Sequence, residues 1–202
     1  MPATTPAVCT IGLAWHGPFS LGAGTGNTVW CAPESDRCGL YLWAIPTTRG
    51  LLIHRVVTSD RPFWRRLHDE LEAYSRGEYP IHRATSLAKG RRDPLHRGEF
   101  GSAECRALQQ QHFRNRLPKL KSEMQRTLAL LALYLAPLDT DPRIGQRIQA
   151  AIANRVRSAG NRASALLETR GPPGDRLPEE VPIQVVSCGC GSVVGMPGEF
   201  EA

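Results

Sequence analysis

A histidine and an arginine, His54 and Arg55, stand side by side in an otherwise apolar stretch, LLIHRVV. Histidine can exchange a proton near neutral pH, and arginine can hold a carboxylate or a phosphate through paired hydrogen bonds. Arg66 and Glu70 follow in a helix-like segment, one turn apart, where they can reach whatever the strand presents. These residue types together suit the binding of an anion coupled to acid–base chemistry.

The strands and helices that must position these side chains are expected to form an α+β fold, with a small antiparallel or mixed sheet and helices packed on it. Two apolar runs flank the turn-like PTTRG, which predicts a β-hairpin over 39–59. Phe63, Leu67 and Leu71 recur at helical spacing after the hairpin, and Gly77 is a natural stop, so a first helix is expected there.

The rest of the chain predicts a loop, two or three helices and a closing strand. Residues 83–103 are polar, basic and broken by Gly and Pro, which indicates a surface loop; Arg91 and Arg92 are its candidates for contacting an anion, and a solvated run of charge is the alternative. A helix is then expected to end at Pro118, a strongly apolar one to cover 121–138, and a third to begin at the pair Asp141 and Pro142.

Length and composition predict a single domain over 1–202, with an irregular N-terminal extension over 1–30 that can supply one edge strand, and a C-terminal strand segment over 181–202 that pairs at the sheet edge. The 202 residues are 41% hydrophobic, enough for one core. No apolar run is long enough for a membrane span and no secretory signal is evident, so a cytoplasmic protein without a membrane partner is expected. The net charge of +6 and the excess of Arg over Lys favour nucleic acid or a small anionic molecule as partner.

The six cysteines lack the paired spacing of a structural zinc site. Cys188 and Cys190 are the one close pair, and residues two apart in a strand share a face. They could form a thiol pair or bind a metal, although buried reduced cysteines are the default interpretation.

The order of several motifs resembles the GIY-YIG nuclease superfamily. The motifs are GLY at 39–41, a second strand, and T-S-x-R-x-F-x-x-R-L over 58–67. The fragments GPFSL, EAYSRGEYPIH, LYLAPLD, RIQAAIAN and VVGMPGEFEA resemble a bacterial group of stand-alone GIY-YIG-like proteins, so that the similarity extends over nearly the whole chain. Such nucleases cut a phosphodiester with a tyrosine from each hairpin strand, an arginine on the first helix and a metal-binding glutamate on a later helix. The resemblance implies catalytic positions for Tyr41, His54 and Arg66.

The chain departs from that pattern at the metal and at the second strand. His54-Arg55-Val56 stands where Tyr-Ile-Gly is expected, and Glu70 stands where the family commonly has histidine. Gln149 occupies the position of the metal-binding carboxylate, and a neutral amide is a poor ligand for Mg²⁺. A metal is therefore expected only if a substitute carboxylate, Glu104 or Glu123, takes over.

Three functions follow from this mixed pattern. The first is action on nucleic acid, by phosphodiester cleavage or binding, with a degenerate metal site. The second is a nuclease scaffold recruited to bind or convert a small anionic metabolite in a biosynthetic pathway without metal, using Tyr41, His54 and Arg66, with Arg55, Glu70, Arg91 and Arg92 contacting the substrate. The third is a protein-interaction module without catalysis, which no residue pattern specifically favours.

Overall fold

The computed structural model describes residues 9–22, 27–98, 103–160, 162–168 and 174–202. The strands in this part of the chain are β1 Cys9–Ala14, β2 His16–Phe19, β3 Gly39–Thr47, β4 Gly50–Ser59, β5 Ile81–His82, β6 Pro94–His96, β7 Ala132–Pro137, β8 Ile183–Cys188, β9 Val193–Val194 and β10 Glu199–Glu201. The helices are α1 Phe63–Ser75, α2 Ala84–Leu87, α3 Ala103–Leu130, α4 Pro142–Ser158 and α5 Arg162–Leu166.

The strands form a five-stranded mixed sheet in the order β2-β7-β3-β4-β9, a three-stranded sheet in the order β1-β8-β10, and the small pair β5-β6. In β3 the run from Gly39 to Ile45 is entirely buried, because the strand lies in the middle of the larger sheet and is covered on both faces. A single cluster of buried apolar side chains includes members of both larger sheets and of helices α1, α4 and α5. The predicted α+β fold with a mixed sheet is confirmed.

The predicted hairpin is present as β3 and β4, with Thr47 paired to Gly50 around a two-residue turn. Gly50 has a φ of +109°, a value that glycine adopts without strain. The pairing slips once, because Trp43 is opposite Arg55 whereas Ala44 is opposite Ile53. His54 is therefore an extra residue in β4, which makes a β-bulge at the His-Arg pair.

Two of the predicted helices begin and end where the sequence indicates. Helix α1 starts at Phe63 and buries Phe63 and Leu67 against the sheet, and Gly77 follows its end with a φ of +78°. Helix α4 starts at Pro142, and the carboxylate of Asp141 accepts a hydrogen bond from the backbone N–H of Arg143 as an N-cap.

The prediction for the region around Pro118 is wrong. One helix, α3, runs from Ala103 to Leu130 through Pro118, and the second half of the expected apolar helix is instead β7, the strand between β2 and β3. Pro118 lies on the exposed side of α3, where a missing backbone donor leaves no buried acceptor unpaired. The short run ALYLAP is too brief for its apolar spacing to separate a strand from a helix.

Several smaller segments also differ from expectation. The predicted loop over 83–103 contains α2 and β6, and the extension over 1–30 contributes two edge strands, β1 and β2, rather than one. In the C-terminal segment, β9 and β10 are edge strands as predicted, whereas β8 is the middle strand of its sheet. Cys188 is exposed and ends β8, whereas Cys190 is buried beyond the end of that strand, and both thiols are free. The positive φ of Gly189, +90°, turns the chain between them.

In the part of the chain that the structure describes, no helix combines the length and the apolar character that a membrane crossing needs. The longest, α3, carries charged side chains on several turns.

Candidate active-site cavity

Four of the residues singled out from the sequence meet between β3, β4 and α1. An Nη2 atom of Arg55 donates to Oε1 of Glu70 at 3.0 Å, and Nη2 of Arg66 lies 3.4 Å from the same oxygen. The Nε atom of Arg66 lies 3.5 Å from the hydroxyl of Tyr41, a long hydrogen bond. The Arg55 guanidinium also stacks over the ring of Tyr79, 5.0 Å from its centroid.

Tyr41 is completely buried, which limits what its hydroxyl can do. Burial raises the pKa of Tyr41 well above its usual value, and the negative charge of Glu70 raises it further. The hydroxyl therefore stays protonated at neutral pH, so that Tyr41 is unsuited to act as a general base. Its observed contact is with Arg66, which it helps to orient.

His54 lies in a second cluster, with Glu168 and His82. Its Nδ1 atom is 3.0 Å from the carbonyl oxygen of Leu166, and its Nε2 atom is 3.9 Å from Oε2 of Glu168. The other carboxylate oxygen of Glu168 is 3.6 Å from Nε2 of His82. Strand alternation predicts His54 beside Tyr41 and Arg66, and this is wrong. It also predicts that Arg55 is turned away unless a bulge intervenes, and β4 contains such a bulge. The bulge brings Arg55 to Glu70 and gives His54 different partners.

The hydrogen bond to Leu166 fixes which ring nitrogen of His54 carries the proton. A carbonyl oxygen can only accept, so Nδ1 is the protonated nitrogen. Burial lowers the pKa of His54, against the opposing effect of Glu168, and the ring is neutral near pH 7. Its Nε2 atom then presents a lone pair toward the Glu168 carboxylate, so that two hydrogen-bond acceptors face one another.

Arg55 and Glu70 of the first cluster and the three residues of the second line one cavity of about 50 Å³, whereas Tyr41 and Arg66 lie behind the Arg55–Glu70 pair and do not line it. It is bounded by β3 and β4, by α1, by the last turns of α3 and by the segment that contains Glu168. Among the described residues, six buried side-chain atoms lack a hydrogen-bond partner, and five of them belong to residues that line this cavity. The five are Trp43 Nε1, Arg55 Nε, Glu70 Oε2, Tyr74 Oη and Thr127 Oγ1. Such atoms are rare in native proteins, and their concentration marks this cavity as the candidate site.

The wall opposite the ion pair is made of hydroxyl groups. Burial raises the pKa of Tyr74, and the neighbouring Thr127 opposes that rise, so the phenol remains a neutral hydrogen-bond donor at physiological pH. The two hydroxyls lie next to one another, and neither makes a well-aligned hydrogen bond to any other described residue. Both belong to residues that line the cavity.

Several of these residues were not found by sequence reasoning. Trp43 shares a strand face with Tyr41, and strand alternation alone would have placed its indole beside the site. Tyr74 belongs to the apolar stripe of α1, where an aromatic residue is interpreted as core. His82 and Glu168 lie far along the chain from His54, and no local pattern in the sequence connects them.

The described side chains do not fit the divalent metal that the resemblance implies. The Oε1 atom of Gln149 already accepts the backbone N–H of Thr58 at 2.9 Å. Of the two substitute carboxylates, Glu123 accepts hydrogen bonds from the backbone of Ala84 and from Arg126, and the side chain of Glu104 lies outside the described part of the chain. Within the described ranges, no group of three or more His, Cys, Asp or Glu residues could hold a metal ion.

The two arginines of the basic segment have different surroundings. Arg92 donates from Nε to the carbonyl oxygen of Ala165 at 2.7 Å and from Nη2 to that of Leu167 at 3.1 Å. It thereby holds the end of α5 and the residue before Glu168 in place, rather than facing the cavity. Arg91 is exposed and does not line the cavity.

Comparison of the chain with models of protein families, with curated proteins and with solved structures found no match. The resemblance to the GIY-YIG superfamily therefore remains a hypothesis that depends on the motifs alone.

Proposed function

We propose that the protein binds a small polar molecule in the cavity between the Arg55–Glu70 pair and the His54–Glu168 cluster, and that His54 exchanges a proton with it. One observation carries this proposal: five buried polar atoms without a protein partner belong to side chains that line the same small space. They offer both hydrogen-bond donors and an acceptor, as a site for an oriented ligand requires.

The energetic cost of these atoms supports a binding role. A buried polar group without a partner costs about 1–3 kcal/mol, and five such groups together approach the whole net stability of a typical domain, about 5–15 kcal/mol. A cavity of about 50 Å³ can hold a few water molecules that recover part of this cost. A ligand that replaces those waters gains hydrogen bonds from groups already held in position, because little side-chain entropy remains to be lost.

The chemistry available in the cavity is proton transfer without a metal. The neutral ring of His54 has its free lone pair on Nε2, on the side of Glu168. A bound group with an acidic N–H or O–H can give its proton to Nε2, and the nearby carboxylate stabilises the imidazolium that forms. Arg55 and Trp43 supply donors that can hold an oxygen of the same molecule.

Ligand screening with a matched pair of tryptophan variants tests this proposal. A panel of carboxylates, phosphates, amides, amines and amino acids is added to the purified protein, and the thermal midpoint is recorded. Trp43→Phe removes the indole N–H that belongs to the cavity, whereas Trp64→Phe changes an exposed tryptophan that does not line it. Compounds that stabilise the wild type and Trp64→Phe, and stabilise Trp43→Phe less, are expected. A panel without such compounds contradicts the proposal.

Nucleic-acid binding is a second candidate, favoured by the surface of α3 and by the motif resemblance. Arg106, Arg114 and Lys121 are exposed. They follow one another at intervals of about two turns along this helix, which is about 42 Å long. Cations in such a row can neutralise backbone phosphates. Anisotropy titration with labelled single- and double-stranded DNA should then show an affinity that falls steeply with salt and weakens in Arg114→Ala. Affinity that is absent at low salt contradicts this candidate.

A further inference from the structure

The acceptor groups of the cavity point to a more specific ligand than the sequence suggests. Glu168 faces Nε2 of His54 at 3.9 Å and Nε2 of His82 at 3.6 Å, distances too long for hydrogen bonds. Because Nδ1 of His54 carries the proton, Nε2 of its neutral ring cannot donate to Glu168. A group with several N–H donors, placed between Nε2 and the carboxylate, would satisfy both.

A second acceptor on the cavity wall reinforces this pattern. The Oε1 atom of Glu70 is shared between Arg55 and Arg66, but its Oε2 atom is buried without a partner. Glu70 is only 4% exposed, so that water from the bulk does not reach it freely. Glu70 therefore has a carboxylate oxygen without a donor, and Glu168, the second carboxylate on the cavity wall, has no arginine among its ion-pair partners in the described chain.

The donors lie on another part of the wall. Trp43 and Arg55 are cross-strand neighbours in β3 and β4, and the free N–H groups are Nε1 of the indole and Nε of the guanidinium. Both can only donate. An oxygen acceptor of the ligand, such as a carboxylate or a carbonyl group, suits this place.

From this arrangement we infer that the ligand is a small molecule with two ends, a cationic nitrogen for Glu168 and Nε2 of His54, and an oxygen acceptor for Trp43 and Arg55. This inference rests on the proposed function and narrows its substrate class to compounds of amino-acid type. It also revises the anionic metabolite suggested by the sequence, since an anion alone would leave the acceptors of Glu168, Glu70 and His54 without donors.

Calorimetric titration with matched probes tests the inference. Glycine, β-alanine and 4-aminobutyrate carry both ends. Acetate, propionate and butyrate lack the nitrogen, and methylamine, ethylamine and propylamine lack the carboxylate. At least one two-ended probe is expected to bind at least about tenfold more tightly than both of its one-ended counterparts, as a lost charge-assisted hydrogen bond implies.

Two variants of cavity residues show which residue binds the cationic end of the ligand and which binds its oxygen end. Glu168→Gln should remove the advantage of the amino acid over the carboxylate, and Trp43→Phe should reduce its advantage over the amine. Glu72→Gln, a change to an exposed carboxylate on α1, should alter neither. In the wild type, the ¹⁵N signal of His54 Nε2, assigned by its loss in His54→Gln, should shift when the two-ended probe binds. This readout remains available if Glu168→Gln does not fold.

The outcomes separate this inference from the proposed function. If acetate or inorganic phosphate binds as tightly as the best two-ended probe, the ligand is an anion and the inference is wrong, although the cavity still binds a small molecule. Hits from the wider panel that lack a cationic nitrogen overturn it in the same way. If no compound of either set binds, the proposed function fails as well.

Discussion

Replacement of Arg55 by methionine is the sharpest test of how the bulge arranges the site. Glu70 is only 4% exposed, and Arg55 is its nearer cationic partner, at 3.0 Å against 3.4 Å for Arg66. Methionine keeps most of the apolar stem but removes the charge. Loss of one partner from a buried pair costs about 3–5 kcal/mol, because the other charge stays buried. Because the partly exposed Arg66 still lies 3.4 Å from Glu70, Arg55→Met should lower the free energy of unfolding by an amount at the lower end of this range, about 3 kcal/mol.

The matching change at Arg66 should lower the free energy of unfolding much less. Its side chain is 31% exposed, and Arg55 would still neutralise Glu70, so Arg66→Met should cost about 1 kcal/mol or less. Arg61→Met, which breaks a pair whose members are both 44% exposed, is a surface control with a similarly small effect.

Urea unfolding followed by circular dichroism measures these free energies. The double variant Arg55→Met with Glu70→Leu removes both charges, so its loss should be smaller than the sum of the two single losses by about 2 kcal/mol or more. A larger loss for Arg66→Met than for Arg55→Met would refute the reasoning. It would make Arg66 the main partner of Glu70 and turn Arg55 to the other face, as an unbulged strand requires.

Three further predictions use the same unfolding assay. Because burial lowers the pKa of His54, the unfolded state takes up the proton first as pH falls below about 6.5, so stability should decrease with acidification by up to about 1.4 kcal/mol per pH unit; His54→Gln should flatten this dependence. Gln149→Leu leaves the Thr58 N–H without its acceptor and should cost about 1–3 kcal/mol, whereas Gln149→Glu should keep the bond and confer no Mg²⁺-dependent nicking of plasmid DNA. Gly39→Ala should cost about 3 kcal/mol or more, because φ is +141° and the new methyl group would meet the carbonyl oxygen of Ala136; a stability within about 1 kcal/mol of the wild type would contradict the close approach of β3 to β7 at this glycine.

The parts of the fold that the sequence predicts correctly are those that local residue patterns determine. The hairpin, α1 and α4 each combine a clear apolar period with a recognisable end, such as Gly50 in the turn or Asp141 at the N-cap. Strand β7 has no such signal, since it is paired on both sides by β2 and β3 from distant parts of the chain, which bury its four middle residues. Its identity is decided by tertiary pairing rather than by local preference.

Only part of the candidate site was predicted from the sequence, for a related reason. Tyr41, Arg66 and Glu70 are placed by regular elements, so that their meeting follows from hairpin and helix geometry. His54 and its partner Glu168 depend on an irregularity in β4 and on a segment held by Arg92, and neither can be derived from residue spacing. Short-range periodicity cannot predict contacts that depend on a bulge and on a distant segment.

The bulge also explains why one strand carries a histidine and an arginine side by side. Without it, alternation would send one of the two side chains to the opposite face of the sheet, where α4 packs and where Gly145 lies directly against Thr58. A guanidinium on that face would find no carboxylate on α4, whose residues from 142 to 158 include neither Asp nor Glu. With the extra residue, both side chains lie on the cavity side, where Arg55 pairs with Glu70 at 3.0 Å and His54 lies 3.9 Å from Glu168. The His-Arg pair and the bulge therefore depend on one another, and together they define the cavity that the ligand experiments address.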